Sequence, residues 1–271
     1  MARVDIIMGI YNCEDYLCES IDSILEQTFN GWRLIICDDK STDKSLEIVE
    51  DYARRYPKKI IVLRNNKNMG LNYTLNKCLK ETSADYIARQ DGDDLSVATR
   101  LEKEVSFLDN HKEYAMVSSN MILFDERGVW GKTQRAEKPK KEDFINGTPF
   151  CHAPCMIRRE VIMELGGYSE DVSTIRVEDY DLWFRMYLDG YVGYNFQKCL
   201  YKMRDDKSAA KRRTIRNRIN EFKLKKRIYK AFDIPKKDVY KVVLPLFKAF
   251  IPSFIYVFLY NRKYGSANRE L

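Results

Sequence analysis

The chain has 271 residues, 45% hydrophobic and 32% charged, which is ordinary for a soluble globular protein with ample sequence for a core. Its net charge of +7 conceals a split: residues 198–241 hold 17 Lys/Arg against 5 Asp/Glu (+12), residues 242–271 add +3, and residues 1–197 stand at −8. The seven cysteines, Cys13, Cys18, Cys37, Cys78, Cys151, Cys155 and Cys199, are scattered and odd in number, which argues against a disulfide framework.

Met1 to Asp5 carries no charged-then-apolar leader, so a cytosolic chain is expected. Val4 to Ile10 reads as a buried strand, and Leu17, Ile21, Ile24 and Leu25 then fall at helical spacing. Leu34 to Cys37 is a second strand. Ser41 is placed to cap the next helix, whose apolar stripe is Leu46, Val49, Ala53 and Tyr56. Ile60 to Leu63 is a third strand, followed by a helix lined by Leu71, Leu75, Cys78 and Leu79. Tyr86 to Ala88 is a fourth strand, and Leu101, Val105 and Leu108 mark the helix after it. The rhythm predicts an α/β fold, a mostly parallel sheet flanked by helices.

Right after the fourth strand comes Gln90-Asp91-Gly92-Asp93-Asp94, with three carboxylates in four positions. Like charges this close repel, so the cluster is either a solvated acidic turn or a site for a hard divalent cation. Position favours the site. In open α/β sheets ligands bind beyond the carboxyl ends of the strands, and Asp38-Asp39 and Asn12 fall at that same edge. No GxxxxGK[ST] loop is present and no GxGxxG follows the first strand, which argues against a P-loop NTPase and a dinucleotide oxidoreductase. Cys151, His152 and Cys155 lack the second ligand pair of a zinc site.

Six segments, in order, resemble the family-2 glycosyltransferases of the GT-A fold. They are VDIIMGIYN (4–12), SILEQTF (23–29) with Asp38-Asp39, Ser41 and Asp43, and NMGLNYTLNKCL (68–79). QDGDD (90–94) with Arg100-Leu101 follows, then HAPCMIRREVIMELGGY (152–168) and VEDYDLWFRM (177–186). The resemblance spans roughly residues 3–205. It implies a GT-A domain over 1–205, with a nucleotide-sugar half (1–110) and an acceptor half (111–205), and a helical extension over 206–271. It implies that Asp39 reads the nucleobase edge beside Asp38, and that the backbone of Ile10 and Tyr11, with Asn12, borders the nucleoside. Asp91 and Asp93 match the DxD motif, one acid on the nucleotide side and one on Mn2+ or Mg2+, with Asp94 in support. Asp179 matches the catalytic base, with Glu178 beside it on the acceptor side. His152 reads either as bordering the acceptor cleft or as a structural histidine. Two positions depart from the family pattern: Gly9 stands where Pro is common, and Lys40 where Gly is common.

The chemistry of sugar transfer needs the same parts: a cation for the leaving diphosphate, a carboxylate to take the acceptor proton, and both held on opposite sides of the anomeric carbon. The expected reaction is inverting transfer from a nucleotide diphosphate sugar, a UDP sugar by family weight, to a lipid-linked or growing glycan. The alternatives are a sugar-nucleotide pyrophosphorylase, which would usually show a glycine-rich N-terminal loop, and a non-catalytic nucleotide-sugar-binding protein, which needs no base. Against the base reading, Glu178 and Asp179 also suit a salt-bridged helix start. Asp181 is expected to cap or to pair with Arg185, and Trp183 and Gly166-Gly167 to serve core and turn.

Lys211 to Lys230 is a dense basic run, and Val242 to Tyr260 is apolar but broken by Pro245, Lys248 and Pro252. That interruption argues against a spanning helix. An interfacial helix pair at the inner face of the plasma membrane is expected, with a helical cover on the domain or an oligomer contact as alternatives. The run matches no nucleic-acid-binding fold, so no nucleic acid partner is expected.

Overall fold

A computed structural model describes residues 2–205, 214–248 and 250–265. Lys211, Arg212 and Arg213 of the basic run lie outside these, as do the side chains of Phe254 and Val257. Four strands, β1 (Val4–Ile10), β2 (Trp32–Asp38), β3 (Ile60–Arg64) and β4 (Tyr86–Arg89), pair in parallel in the order β3-β2-β1-β4. The helices α1 (Glu14–Leu25), α2 (Ser45–Arg55) and α3 (Leu71–Lys80) connect them, and α4 (Arg100–Asn110) follows. Alternation along the strands sends Val4, Ile6, Met8, Leu34 and Ile36 into one core and Ile7, Ile35 and Cys37 into the other. Burial on both faces is why these strands read as continuous apolar runs.

The second half changes the sheet's character. β6 (Met116–Asp125), with β7 (Gly128–Lys132) at its side, β8 (Met156–Arg158) and β9 (Gly193–Arg204) extend it, and with the short β5 (Leu95–Ser96) the sheet has nine strands among the described residues. β8 runs antiparallel to both β4 and β6, and β9 runs parallel to β6. β5 pairs antiparallel with Lys202 and Tyr201 of β9. The sheet is therefore mixed, with the first four strands parallel as the strand-helix rhythm implied and antiparallel pairs in the second half. A three-residue strand such as β8 is too short for periodicity to register.

Local differences have local causes. Ser41 does not cap α2, which begins at Ser45. Its N–H donates to both carboxylate oxygens of Asp38 (3.2 Å each), and its hydroxyl accepts from the Asn12 N–H at 3.1 Å. Lys40 sits at φ +65°, the left-handed region that favours glycine, which accounts for the residue type common there in the family. Gly166 and Gly167 turn at φ +74° and +71°, and Trp183 is fully buried, as expected of both.

The remaining helices are α5 (Arg159–Glu164), α6 (Glu178–Leu188), α7 (Ile215–Ala231), α8 (Tyr240–Lys248) and α9 (Ser253–Gly265). Leu224, Ile228, Phe232, Ile234 and Val242 join Phe144 and Phe184 in one continuous core, so α7 and α8 pack onto the body of the fold. α9 lies along β7 so closely that a Cβ on Gly131 would stand 2.8 Å from the Tyr264 carbonyl oxygen.

At the sheet edge opposite the acids, Asp5 is fully buried in β1. It accepts from Arg33 Nε and Nη2 (2.8 and 2.9 Å) and from the Ser83 and Ala84 N–H groups (2.7 and 2.9 Å). Removing one partner of such a pair strands the other donors, so Asp5→Ala should lower the unfolding free energy by about 3 kcal/mol in urea titration. Because the pair lies away from the cleft, the folded fraction should keep its ligand affinity.

Candidate active site

The carboxyl ends of β1, β2 and β4 lie side by side and carry the site. The Asp39 N–H donates to the Ile10 carbonyl at 2.9 Å, tying β2 to β1. Tyr11 is half exposed, and Asn12 turns the chain at φ +50° while its Oδ1 accepts from the Thr42 N–H at 2.8 Å. Asp39 is buried and accepts from Asn65 Nδ2 (2.8 Å), the Met69 N–H (2.7 Å) and the Gly70 N–H (2.8 Å). A carboxylate offers about four lone-pair sites, so one remains for a ligand while the rest pull the 65–70 loop onto the strand ends. Asp38 is spent on the Ser41 turn.

The acid loop is clasped by three arginines. Arg100, buried in α4, donates to the Arg89 carbonyl (2.8 Å), Ser96 Oγ (2.8 Å) and Gln90 Oε1 (3.2 Å). Arg89, buried at the end of β4, holds both oxygens of Asp91 in a fork of 2.7 and 2.6 Å. Arg204, at the end of β9, donates its N–H to Asp94 Oδ1 at 2.7 Å and its Nε to the Asp93 carbonyl at 3.2 Å, with its guanidinium over the Tyr16 ring. Asp94 is buried, and burial together with Asp91 and Asp93 pushes its carboxyl well above the usual carboxylate range. Asp93 is exposed. The three acids, adjacent in sequence, thus occupy different environments.

Glu178 and Asp179 open α6, where the helix dipole favours acids. Neither forms an ion pair among the described residues, whereas Asp181 pairs with both Arg185 and Arg227 at 2.8 Å, the role expected of it for Arg185. Thr148 Oγ1 stands 3.2 Å from both Asp179 Oδ2 and the Phe150 carbonyl, and its single hydrogen serves one at a time. Burial raises the pKa of Asp179, opposed by hydrogen bonds and by the charges of Arg135 and Arg89. Burial also raises Glu178, with Asp179 adding to it. His152 bonds the Tyr168 hydroxyl at 2.8 Å, and burial, with Arg89 adding to it, keeps the ring neutral.

Asp91, Asp93, Asp94, His152, Glu178 and Asp179 line one cavity of about 530 Å³. Ile10, Tyr11, Asn12, Asp38 and Asp39 do not line it; they stand at the neighbouring strand ends. The sequence reading missed Arg89 and Arg204, and Asn217, Arg218, Glu221 and Tyr260 of the tail, which also line the cavity. The period of two, which puts Arg89 and Asp91 on one side of an extended chain, was the available signal for Arg89. No three His, Cys, Asp or Glu side chains converge as a metal cage among the described residues. A cation shared with a diphosphate needs fewer protein ligands, since phosphate oxygens and waters supply the remainder, and exposed Asp93 fits that demand.

Comparison with known proteins agrees with this geometry. The chain is 44% identical over 251 residues to the glycosyltransferase EpsE of Bacillus subtilis, covering 93% of this chain and 90% of that one. It is 29% identical over 272 residues, 96% of each chain, to the Escherichia coli UDP-Gal:alpha-D-GlcNAc-diphosphoundecaprenol beta-1,3-galactosyltransferase. The fold matches the crystal structure of S. aureus TarS 1–349 in complex with UDP at a TM-score of 0.64 and 20% identity, over 92% of this chain and 70% of that one. The profile described as Glycosyl transferase family 2 matches residues 5–166, more than half of the chain. The protein belongs to glycosyl transferase family 2 and has the GT-A fold.

Proposed function

We propose that the protein transfers a hexose or N-acetylhexosamine from a UDP sugar, with inversion, to a hydroxyl of a lipid-linked or growing glycan in cell-surface polysaccharide synthesis. The observation that carries this reading is the shared cavity, with the acid loop on one wall and Glu178-Asp179 on another. The UDP donor and lipid-linked acceptor draw on the printed activity of the E. coli relative.

In this reading Asp39, with one acceptor site left, receives the nucleobase N–H, and the turn at Ile10, Tyr11 and Asn12 borders the nucleoside. Asp91, Asp93 and Asp94 serve the diphosphate side, and Asp93 is the residue that holds Mn2+ or Mg2+. The cation, when bound, neutralises charge developing on the leaving diphosphate. Asp179 accepts the acceptor hydroxyl's proton, while Thr148 orients it by donating to Oδ2. Neutral His152 and Glu178 border the acceptor. Tyr260 and Arg218 extend that wall.

The tail supports a place at the inner face of the plasma membrane. No helix among the described residues is long and apolar enough to cross a membrane. Phe250, Phe247 and Phe258 are 81%, 66% and 64% exposed, beside a strongly basic segment. Cationic and aromatic groups together suit an anionic lipid surface.

Replacing Asp179 with Asn should cut kcat by about 10²–10⁴-fold, the range for a positioned base, with the donor KM little changed. Wild-type turnover in that variant would remove Asp179 as base. Because burial raises its pKa, the proton stays on to a higher pH than on a free aspartate; the acid limb of the kcat profile should lie above that of a free aspartate and vanish in Asp179→Asn. Transfer should stop in excess chelator and return with Mn2+. In flotation with anionic liposomes, Phe247→Ser/Phe250→Ser/Phe258→Ser should weaken binding at least about tenfold, since each buried Phe contributes roughly 1.5–3 kcal/mol. Unchanged flotation would place the tail off the membrane.

A further inference from the structure

Arg135 does not line the cavity, yet a short chain of bonds connects it to Asp179. It lies in the segment after β7 and is partly buried. Its backbone is fixed on both sides: the N–H donates to Asn120 Oδ1 at 2.9 Å, and the carbonyl accepts from Gln197 Nε2 at 3.3 Å. Its Nη1 donates to the Thr148 carbonyl at 3.1 Å, while its Nε is buried without a partner and the side chain forms no ion pair among the described residues. Fully buried Asn195 ties the same two segments together, donating to the Ala136 and Pro149 carbonyls at 2.8 and 3.1 Å. An arginine buried for structure alone is ordinarily paired with an acid. The carboxylate to which this chain of bonds leads is that of Asp179, whose Oδ2 stands 3.2 Å from Thr148 Oγ1.

We propose that Arg135 is a positioning residue for Asp179, acting through Thr148. The inference rests on the base role proposed for Asp179. The Thr148 hydroxyl has two acceptors at 3.2 Å, Asp179 Oδ2 and the Phe150 carbonyl. While Asp179 is ionised, the bond to its carboxylate is charge-assisted and the stronger of the two. Once Asp179 has taken the acceptor's proton, that advantage is gone and the hydroxyl hydrogen turns to the Phe150 carbonyl. The hydroxyl keeps a partner in either state, so the base gains its proton without stranding a donor. Arg135, by gripping the Thr148 carbonyl, keeps the hydroxyl within reach of both acceptors. Its positive charge also favours the ionised form of Asp179. Glu178 on the same helix, Arg89 from β4, and Cys155, Tyr168 and Tyr180 also face Asp179, and the variants below leave all of them in place.

The pH profile of kcat for the full chain tests this. Loss of the Arg135 grip and charge leaves the Asp179 carboxylate less stabilised, so its pKa rises and the acid limb moves to higher pH. Arg135→Met should move that limb up by about one pH unit, with the donor KM within about twofold of wild type. Arg135→Lys keeps the charge and a donor and should restore the limb. Thr148→Val should move the limb in the same direction, and Thr148→Ser, which keeps the hydroxyl, should not. Because Arg135 acts through Thr148, the double variant Arg135→Met/Thr148→Val should shift the limb by less than the sum of the single shifts. Should Arg135→Met fail to fold, Arg135→Gln removes the charge and shortens the reach to the Thr148 carbonyl, and the same upward shift is expected. An acid limb unmoved in the folded Arg135 variants, or a fully additive double variant, would overturn the inference and leave Asp179 as base. A limb that persists unchanged in Asp179→Asn would overturn both.

Discussion

Keeping Asp91, Asp93 and Asp94 within one tight loop is the constraint around which the rest of this structure is arranged. At 4 Å, like charges repel by about 4 kcal/mol at an effective dielectric of 20, a cost comparable to a large share of a domain's net stability. The fold meets it by assigning each acid a different environment. Asp91 is neutralised by the Arg89 fork, Asp94 is buried with its proton favoured, and Asp93 is turned outward. Arg100 then fixes the strand end from behind, and Arg204 ties the loop to β9. Three arginines from β4, α4 and β9 have to converge, and the mixed sheet is what allows it. β9 must return through β6 and pair with β5 for Arg204 to reach Asp94.

The parts of this arrangement that were legible in the sequence are those governed by short-range pattern. β1 to β4 lie where continuous apolar runs put them, because strands buried on both faces need such runs. The clustering of Asp38-Asp39 and the acid loop at one edge followed from strand ends alone. Ser41 shows the limit. Its residue type suits a cap, but the carboxylate of Asp38, three positions earlier, captures its N–H and delays the helix to Ser45. Arg89 was hidden for the opposite reason. An arginine inside a strand reads as a solvated edge residue; the period of two sets it on the side of Asp91, and the tertiary fold is what buries it there.

Asp179 illustrates how the competing explanation lost ground. A first-turn acid on a helix is ordinary, and the ion pair that would make it structural is formed instead by Asp181, two residues on. The lattice of Arg185 and Arg227 around Asp181 satisfies the start of α6 electrostatically. Asp179 lines the cavity with the Thr148 hydroxyl beside it, and burial raises its proton affinity, which suits the base role proposed for it.

The tail joins these two themes. Its helices read from sequence as either a membrane surface or a cover for the domain, and the packing shows that these are not exclusive. Leu224 and Ile228 of α7 belong to the core, while Tyr260 of α9 donates to Asp205 at 2.8 Å and lines the cavity. Phe247, Phe250 and Phe258 face outward from the same segment. A surface that both lines the cavity and exposes aromatic rings suits the lipid-linked acceptor proposed above. Confining enzyme and acceptor to one membrane plane raises their effective concentration without any new contact at the reacting hydroxyl. Under the proposed function, selectivity for the acceptor sugar would stay with the cavity wall, and the exposed rings would set only how often an acceptor arrives.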